Sequence, residues 1–217
     1  VHFLCIPPPA RDRDVGASVL VAAARVCQDL RAMLIVDPPA AWASCDDALR
    51  GLRELDLQSD HALMCFPRIL AFDRLRGRYE TFANGGAVAG VLARMDEQRS
   101  PWHPGPDDEL LLRPGTRAAL VLTDSERSRL AVHGINPLQS LRTAGERRLP
   151  LRTLAGGTGR SAESSLLTSR RRALLVMGSI ERGTRWAVFD AGDRGAWHKI
   201  TRQVQDFLLP LAEAGLF

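Results

Sequence analysis

The sequence predicts an α/β fold with a parallel sheet in its first half, followed by a second half of mixed α and β. Three short runs, residues 2–6, 33–36 and 61–66, are apolar without alternation. Stretches with apolar residues at helical spacing separate them. Continuous apolar strands alternating with helices mark a parallel sheet covered on both faces, because neither side of such a strand meets water.

The first strand, residues 2–6, is closed by Pro7-Pro8-Pro9, which cannot extend a hydrogen-bonded ladder. A helix over 16–31 places Val19, Ala22, Ala23, Val26, Cys27 and Leu30 on one face. The second strand, 33–36, stops at Asp37-Pro38-Pro39. In the helix over 46–55, Leu49, Leu52 and Leu55 recur at helical spacing, and Asp46 and Asp47 favour its N-terminus. After the third strand comes a helix opened by Gly85-Gly86. Its stripe is Val88, Val91, Leu92 and Met95, and Ala87, Ala89, Gly90 and Ala93 keep it slim. Such a helix can be approached closely and is expected at a buried seam against the sheet. Ser100-Pro101 ends it.

Residues 100–114 are rich in proline and acid and read as an extended crossing, dividing the chain into 1–99 and 100–217. A strand is expected near 117–122. Thr123 to Glu126 fits a capping box that starts a helix running to Val132 and stopping at Gly134. Residues 149–154 read as a strand and 155–165 as a Gly/Ser loop. A helix over 171–182 puts Ala173, Val176, Met177 and Ile180 on one face and ends at Gly183. Residues 184–189 read as a strand. The last helix, 195–214, carries Trp197, Ile200, Val204, Phe207, Leu208 and Leu211, with Pro210 expected to kink or end it and Gly215 beyond it.

The 217 residues are 45% apolar and 25% charged, a globular composition, and no apolar run is long enough to span a bilayer. No signal peptide is visible, but the chain begins inside a strand and reads as a piece of something longer. The balance of 29 basic to 25 acidic residues gives a net charge of +4, which suits acidic partner surfaces and nucleic acid equally. Cys5, Cys27, Cys45 and Cys65 form no CxxC pair, so buried free thiols in a reducing compartment are expected rather than a zinc or redox site.

Few residues carry chemistry. The glycines at 156, 157 and 159 suggest a phosphate loop, yet the first-glycine position is Leu154 and the lysine position is Arg160. The five histidines have no metal-ligand spacing. Asp46-Asp47 and Asp107-Asp108-Glu109 read as caps and loops, and Ser179 lacks the G-x-S-x-G elbow. Arg170-Arg171-Arg172 offers a nucleic-acid contact, but without interleaved aromatics a solvated helix start or protein interface is the better reading. Arginines at a helix N-terminus oppose its dipole, so acidic groups from another segment or chain are expected nearby.

Three stretches resemble the contractile tail sheath proteins of phages, R-type pyocins and related injection systems. They are Gly86-Ala87-Val88-Ala89-Gly90-Val91-Leu92-Ala93-Arg94-Met95-Asp96, running on to Trp102; Leu122-Thr123-Asp124-Ser125-Glu126 with Gly134-Ile135-Asn136-Pro137-Leu138; and Arg171-Arg172 with Ser179-Ile180-Glu181-Arg182-Gly183-Thr184-Arg185-Trp186-Ala187-Val188-Phe189-Asp190, Trp197 and Phe207-Leu208. The resemblance implies a structural subunit and no enzyme. Residues 1–99 would be the C-terminal part of a subtilisin-like α/β sheath domain, and 100–217 a C-terminal sheath domain without its terminal arm.

The helix at Val88-Ala89-Gly90-Val91 also resembles the subtilase helix that follows the nucleophile. In that register the nucleophile position is Phe82 and the histidine of the motif is Ala87, and a phenyl ring can neither attack nor yield a proton.

The resemblance further implies a virion tail or tail-like particle assembled in the bacterial cytoplasm. Its partners would be other sheath subunits in stacked hexameric rings, the tail tube, the baseplate and the tail terminator. No cofactor, metal, small-molecule ligand or membrane insertion is implied. Lys199 and Arg202 on the last helix, with Arg170, Arg171 and Arg172, are the candidates for a tube or inter-subunit interface. An active hydrolase on the same scaffold and a basic nucleic-acid-binding module are the alternatives.

Overall fold

The computed structural model describes residues 2–11, 13–99, 110, 112, 114–138, 149–155 and 165–216. The chain runs β1 (Phe3–Cys5), α1 (Ala17–Asp29), β2 (Met33–Val36), α2 (Cys45–Leu55), β3 (Ala62–Phe66), β4 (Ile69–Asp73), β5 (Arg78–Phe82), α3 (Gly85–Arg99), β6 (Thr116–Ala118), α4 (Asp124–Val132), β7 (Ile135–Pro137) and α5 (Leu167–Gly183). A 3-10 turn (Arg185–Phe189) and α6 (Arg194–Glu213) close it.

β1, β2, β3 and β7 form an all-parallel sheet in that order. Every residue of β2 and β3 is buried, which is why those runs do not alternate. Their side chains still divide by pleat. Leu34, Val36, Ala62, Met64 and Phe66 enter one core with Leu20, Ala23, Ala24 and Cys27 of α1, Cys45 and Ala48 of α2, and Leu130 of α4. Met33, Ile35, Leu63 and Cys65 enter the other with Val88, Val91 and Leu92 of α3 and Leu167 and Leu174 of α5. Each fully buried Leu, Ile or Val contributes about 1.5–3 kcal/mol by removing apolar surface from water, so this two-sided sheet is the main source of stability.

The capping box is present as expected: Thr123 Oγ1 accepts from Glu126 N–H, and Glu126 Oε2 accepts from Thr123 N–H at 2.8 Å. Gly134 follows with φ of 83°, a left-handed conformation that glycine adopts without strain. Ser44 caps α2 by accepting from Asp47 N–H.

Several expectations need correction. The buried face of α1 is Leu20, Ala23, Ala24 and Cys27, whereas Val19, Val26 and Leu30 are exposed. Two apolar stripes run along this helix, and periodicity alone does not say which one meets the sheet. In α5 the buried residues are Leu167, Arg171 and Leu174, and Met177 lies on the exposed side.

Within the run expected as a strand at 149–154, Arg152 makes one isolated bridge to Leu166; residues 156–164 of the adjoining loop lie outside the described residues. The run 184–189 is a 3-10 turn with Val188 and Phe189 exposed, since no neighbouring strand offers it a ladder among the described residues. α6 continues through Pro210 to Glu213. Its stripe of Ile200, Val204, Phe207, Leu208 and Leu211 is half-buried, and Trp197 is exposed.

The hairpin β4–β5 was not expected at all. It is antiparallel, and β6 joins its other edge. Gly77, at φ of 65°, makes the turn. Arg11 clamps the hairpin through Asp73 at 2.6 Å and through Glu80, which also accepts from Arg78 at 2.7 Å.

Residue 100 does not separate the two sheets, because β6 and β7 come from the second half and complete sheets begun in the first. The acidic, proline-rich stretch from 101 to 109, with His103, lies outside the described residues.

Candidate functional site

In a parallel α/β sheet, ligands and catalytic groups gather beyond the carboxyl ends of the strands. Here β1, β2 and β3 end at Cys5, Val36 and Phe66, and the N-terminus of α3 meets them. Among the described residues, Asp37, Cys5 and Gly85 pack together there. Asp37 Oδ1 accepts the Gly85 N–H at 2.6 Å. A Cβ on Gly85 would stand 2.7 Å from Cys5 Sγ and 3.0 Å from Asp37 Oδ1, so only glycine fits. Asn84 is fully buried, and its Nδ2 donates to the carbonyls of Cys65 at 2.7 Å and Pro67 at 2.8 Å.

The electrostatics here disfavour thiol chemistry. Burial raises the Asp37 carboxyl above its usual range, although the Gly85 N–H and the Arg68 guanidinium partly offset this. Burial, reinforced by Asp37, likewise raises the Cys5 thiol, and burial holds the Cys65 thiol far above its ordinary value. Thiols that resist ionisation are poor nucleophiles. Phe82, at the nucleophile position of the subtilase-like register, ends β5 half-buried with the Arg11 guanidinium 4.7 Å above its ring. Ala87 is packed against the core below α3. Among the described residues no group of three or more His, Cys, Asp or Glu side chains could hold a metal ion.

The five candidate arginine and lysine positions separate into two sets. Arg170 turns to His61 and stands 3.3 Å from Asp60. Arg171 is buried, pairs with Asp96 of α3, and places its guanidinium 5.1 Å over the Phe3 ring. Arg172 donates to the Leu216 carbonyl at 3.4 Å. These three tie α5 to the turn before β3, to β1 and α3, and to Leu216, and the acids that offset the helix dipole come from other segments of the same chain. Lys199 and Arg202 are the outward pair. Lys199 is 3.7 Å from Asp190, Arg202 is 3.8 Å from Asp206, and both side chains are largely exposed.

One feature escaped sequence reasoning. α2 and α4 lie side by side, with Cys45 Sγ near the Glu126 carbonyl and Arg129 Nη2 2.6 Å from Asp46. They enclose an open cleft of about 580 Å³ lined by Asp46, Leu49, Arg50, Arg53, Arg129, Val132 and His133. The available signal was two helices each carrying cations in their final turns, but nothing in the sequence says that they are neighbours.

No family model matches the chain, and no curated protein matches it in sequence. Solved structures do match it in shape. The contracted helical sheath of the anti-feeding prophage superposes with a TM-score of 0.70 at 15% identity, over 99% of this chain and 55% of that one. The contracted sheath complex of an extracellular contractile injection system, PVC, gives 0.68 at 18% identity, over 84% and 49%. The contracted anti-feeding prophage baseplate gives 0.67 at 19%, over 97% and 57%. This chain has their fold. It spans about half the length of the chains it matches.

Proposed function

We propose that this chain is the core of a contractile sheath subunit, a structural element that polymerises around a tail tube and contracts to drive the tube through an envelope. One observation carries the reading: a shared fold over 84–99% of the chain with sheath structures of two contractile systems. The packing of Asp37, Cys5 and Gly85 at the carboxyl end of the sheet, with Phe82 and raised thiols where a hydrolase needs a nucleophile, supports a structural role over an enzymatic one.

In this reading α3 is the remnant of a subtilisin-like helix kept for packing. Residues 1–99 form the C-terminal part of the subtilisin-like sheath domain, and 100–217 form the C-terminal sheath region, which returns β6 and β7 to the sheets of the first. The partners are further sheath subunits in stacked rings, the tube, the baseplate and the terminator, in a virion tail or tail-like particle assembled in the cytoplasm. No cofactor enters the stroke, whose free energy lies in better contacts between subunits in the contracted state.

Lys199 and Arg202 are the cations we assign to the tube or a neighbouring subunit. Arg170, Arg171 and Arg172 are engaged within the chain and are better read as internal ties. Co-purification with the tube protein tests the assignment. Lys199→Glu with Arg202→Glu should weaken retention and leave the fold intact by circular dichroism; unchanged retention removes these two residues from the interface. A fluorophosphonate probe tests the enzymatic alternative, and labelling of any serine would revive it.

A further inference from the structure

The cleft between α2 and α4 and the outer face of α6 complement each other in charge, yet they lie on opposite sides of the parallel sheet. α2 and α4 cover one core. α5 covers the other, and α6 runs back along it, with Gln203 donating to the Gly183 carbonyl at 3.0 Å and Leu216 accepting from Arg172. A surface on one side cannot reach its complement on the other within one molecule.

Among the described residues the cleft presents Arg50, Arg53 and Arg129 against one lining acid, Asp46. Arg129 is held by Asp46 and Arg50 by Asp47, so Arg53 in the last turn of α2 is the cation that no ion pair among the described residues engages. Between the charges stands Val132, 64% exposed, an apolar side chain that water covers poorly. The C-terminal half of α6 shows the opposite pattern. Asp206, Leu209 and Glu213 fall at i, i+3 and i+7, on one face, and all three are exposed. Leu209 is 62% exposed, and among the described residues Asp206 makes only a loose ion pair, with Arg202.

We propose that the α2/α4 cleft of one copy receives the acid–Leu–acid face of α6 from a second copy. Leu209 would cover Val132 and Leu49 while Asp206 and Glu213 approach Arg53 and Arg129. Two different patches make this contact heterologous, so it leaves each copy with a free cleft at one side and a free α6 at the other. Repeated, it gives a closed ring or an open helical array rather than a dimer. The inference deepens the sheath-subunit reading, on which it rests for the expectation that copies meet, by naming the surfaces that join them.

Charge reversal tests it in solution without the tube. Sedimentation velocity of the parent chain at low ionic strength should show concentration-dependent association, weakened by salt because the contact is electrostatic. Arg53→Glu alone and Asp206→Arg alone should each weaken it by roughly 100-fold, since like charges then face each other. An equimolar mixture of the two variants should associate again, in alternation, because the unaltered α6 face of one meets the unaltered cleft of the other and the two reversed surfaces also complement each other. The double variant Arg53→Glu with Asp206→Arg should associate again. A parent that stays monomeric, single variants that associate like the parent, or a double variant that stays apart each overturns the proposal. Tubular sheaths formed with the tube by either single variant would also overturn it while leaving the sheath-subunit reading standing.

Discussion

Asp37 holds the first turn of α3 through Gly85, accepting its N–H at 2.6 Å, and Cys5 Sγ stands where any Gly85 side chain would begin. A carboxylate from the end of β2 thus occupies a helix N-terminus, where backbone N–H groups and the helix dipole favour negative charge. It is part of the packing.

Gly85→Ala is therefore expected to destabilise the chain by about 1–3 kcal/mol, the usual effect of forcing a methyl into a packed site. Cys5→Ala removes the sulfur that the methyl meets, so the double variant should lose less than the two single variants summed. Urea midpoints of the four proteins measure the coupling, and strict additivity would place the clash elsewhere.

The raised Asp37 carboxyl sets a pH dependence of definite sign. In the unfolded chain this group ionises at the ordinary carboxylate value, and in the fold it holds its proton to higher pH because burial disfavours the charge. Between those two points the folded state binds more protons, so the Asp37 contribution falls as pH rises through the window and is constant above it. Asp37→Asn keeps an amide oxygen for the Gly85 N–H and cannot ionise. The variant should gain stability relative to the parent as pH climbs above the ordinary carboxylate range. A difference that does not change with pH would contradict this account of the site.

Arg171 is the internal tie whose loss should be felt most. It is 6% exposed, paired with Asp96 and stacked over Phe3. Arg171→Ala leaves Asp96 without its cation and opens a gap, for an expected loss of roughly 2–3 kcal/mol, toward the lower end for buried pairs because Asp96 keeps some solvent. Arg171→Met with Asp96→Asn restores volume and removes both charges, and should lose less than Arg171→Ala. Thermal unfolding of the three proteins checks the order. An Arg171→Ala protein as stable as the parent would mean the contact carries nothing.

Much of the first half was legible because its signals were redundant. β2 and β3 are buried on both faces, so their short unbroken apolar runs between turn residues read as central strands, and Asp46, Asp47, Thr123 and Gly134 marked helix ends by local chemistry. The second half was legible only in part, because its elements are defined by neighbours. Residues 184–189 have the apolar composition of a strand but find no ladder among the described residues, and become a 3-10 turn. The hairpin β4–β5 was missed because Ile69, Leu70 and Phe72 lie beside a dense run of arginines, of which Arg76 and Arg78 pair with Glu80, and because the tie from Arg11 to Asp73 is visible only in three dimensions. The arginine trio was read correctly as needing nearby acids, yet only the fold shows that Asp60 and Asp96 of the same chain supply them.

Electron microscopy of the protein expressed together with its tube protein tests the central claim most directly. The account predicts hollow cylinders of regularly stacked subunits enclosing the tube. Monodisperse globules that leave the tube bare, from protein shown to be folded, would contradict it.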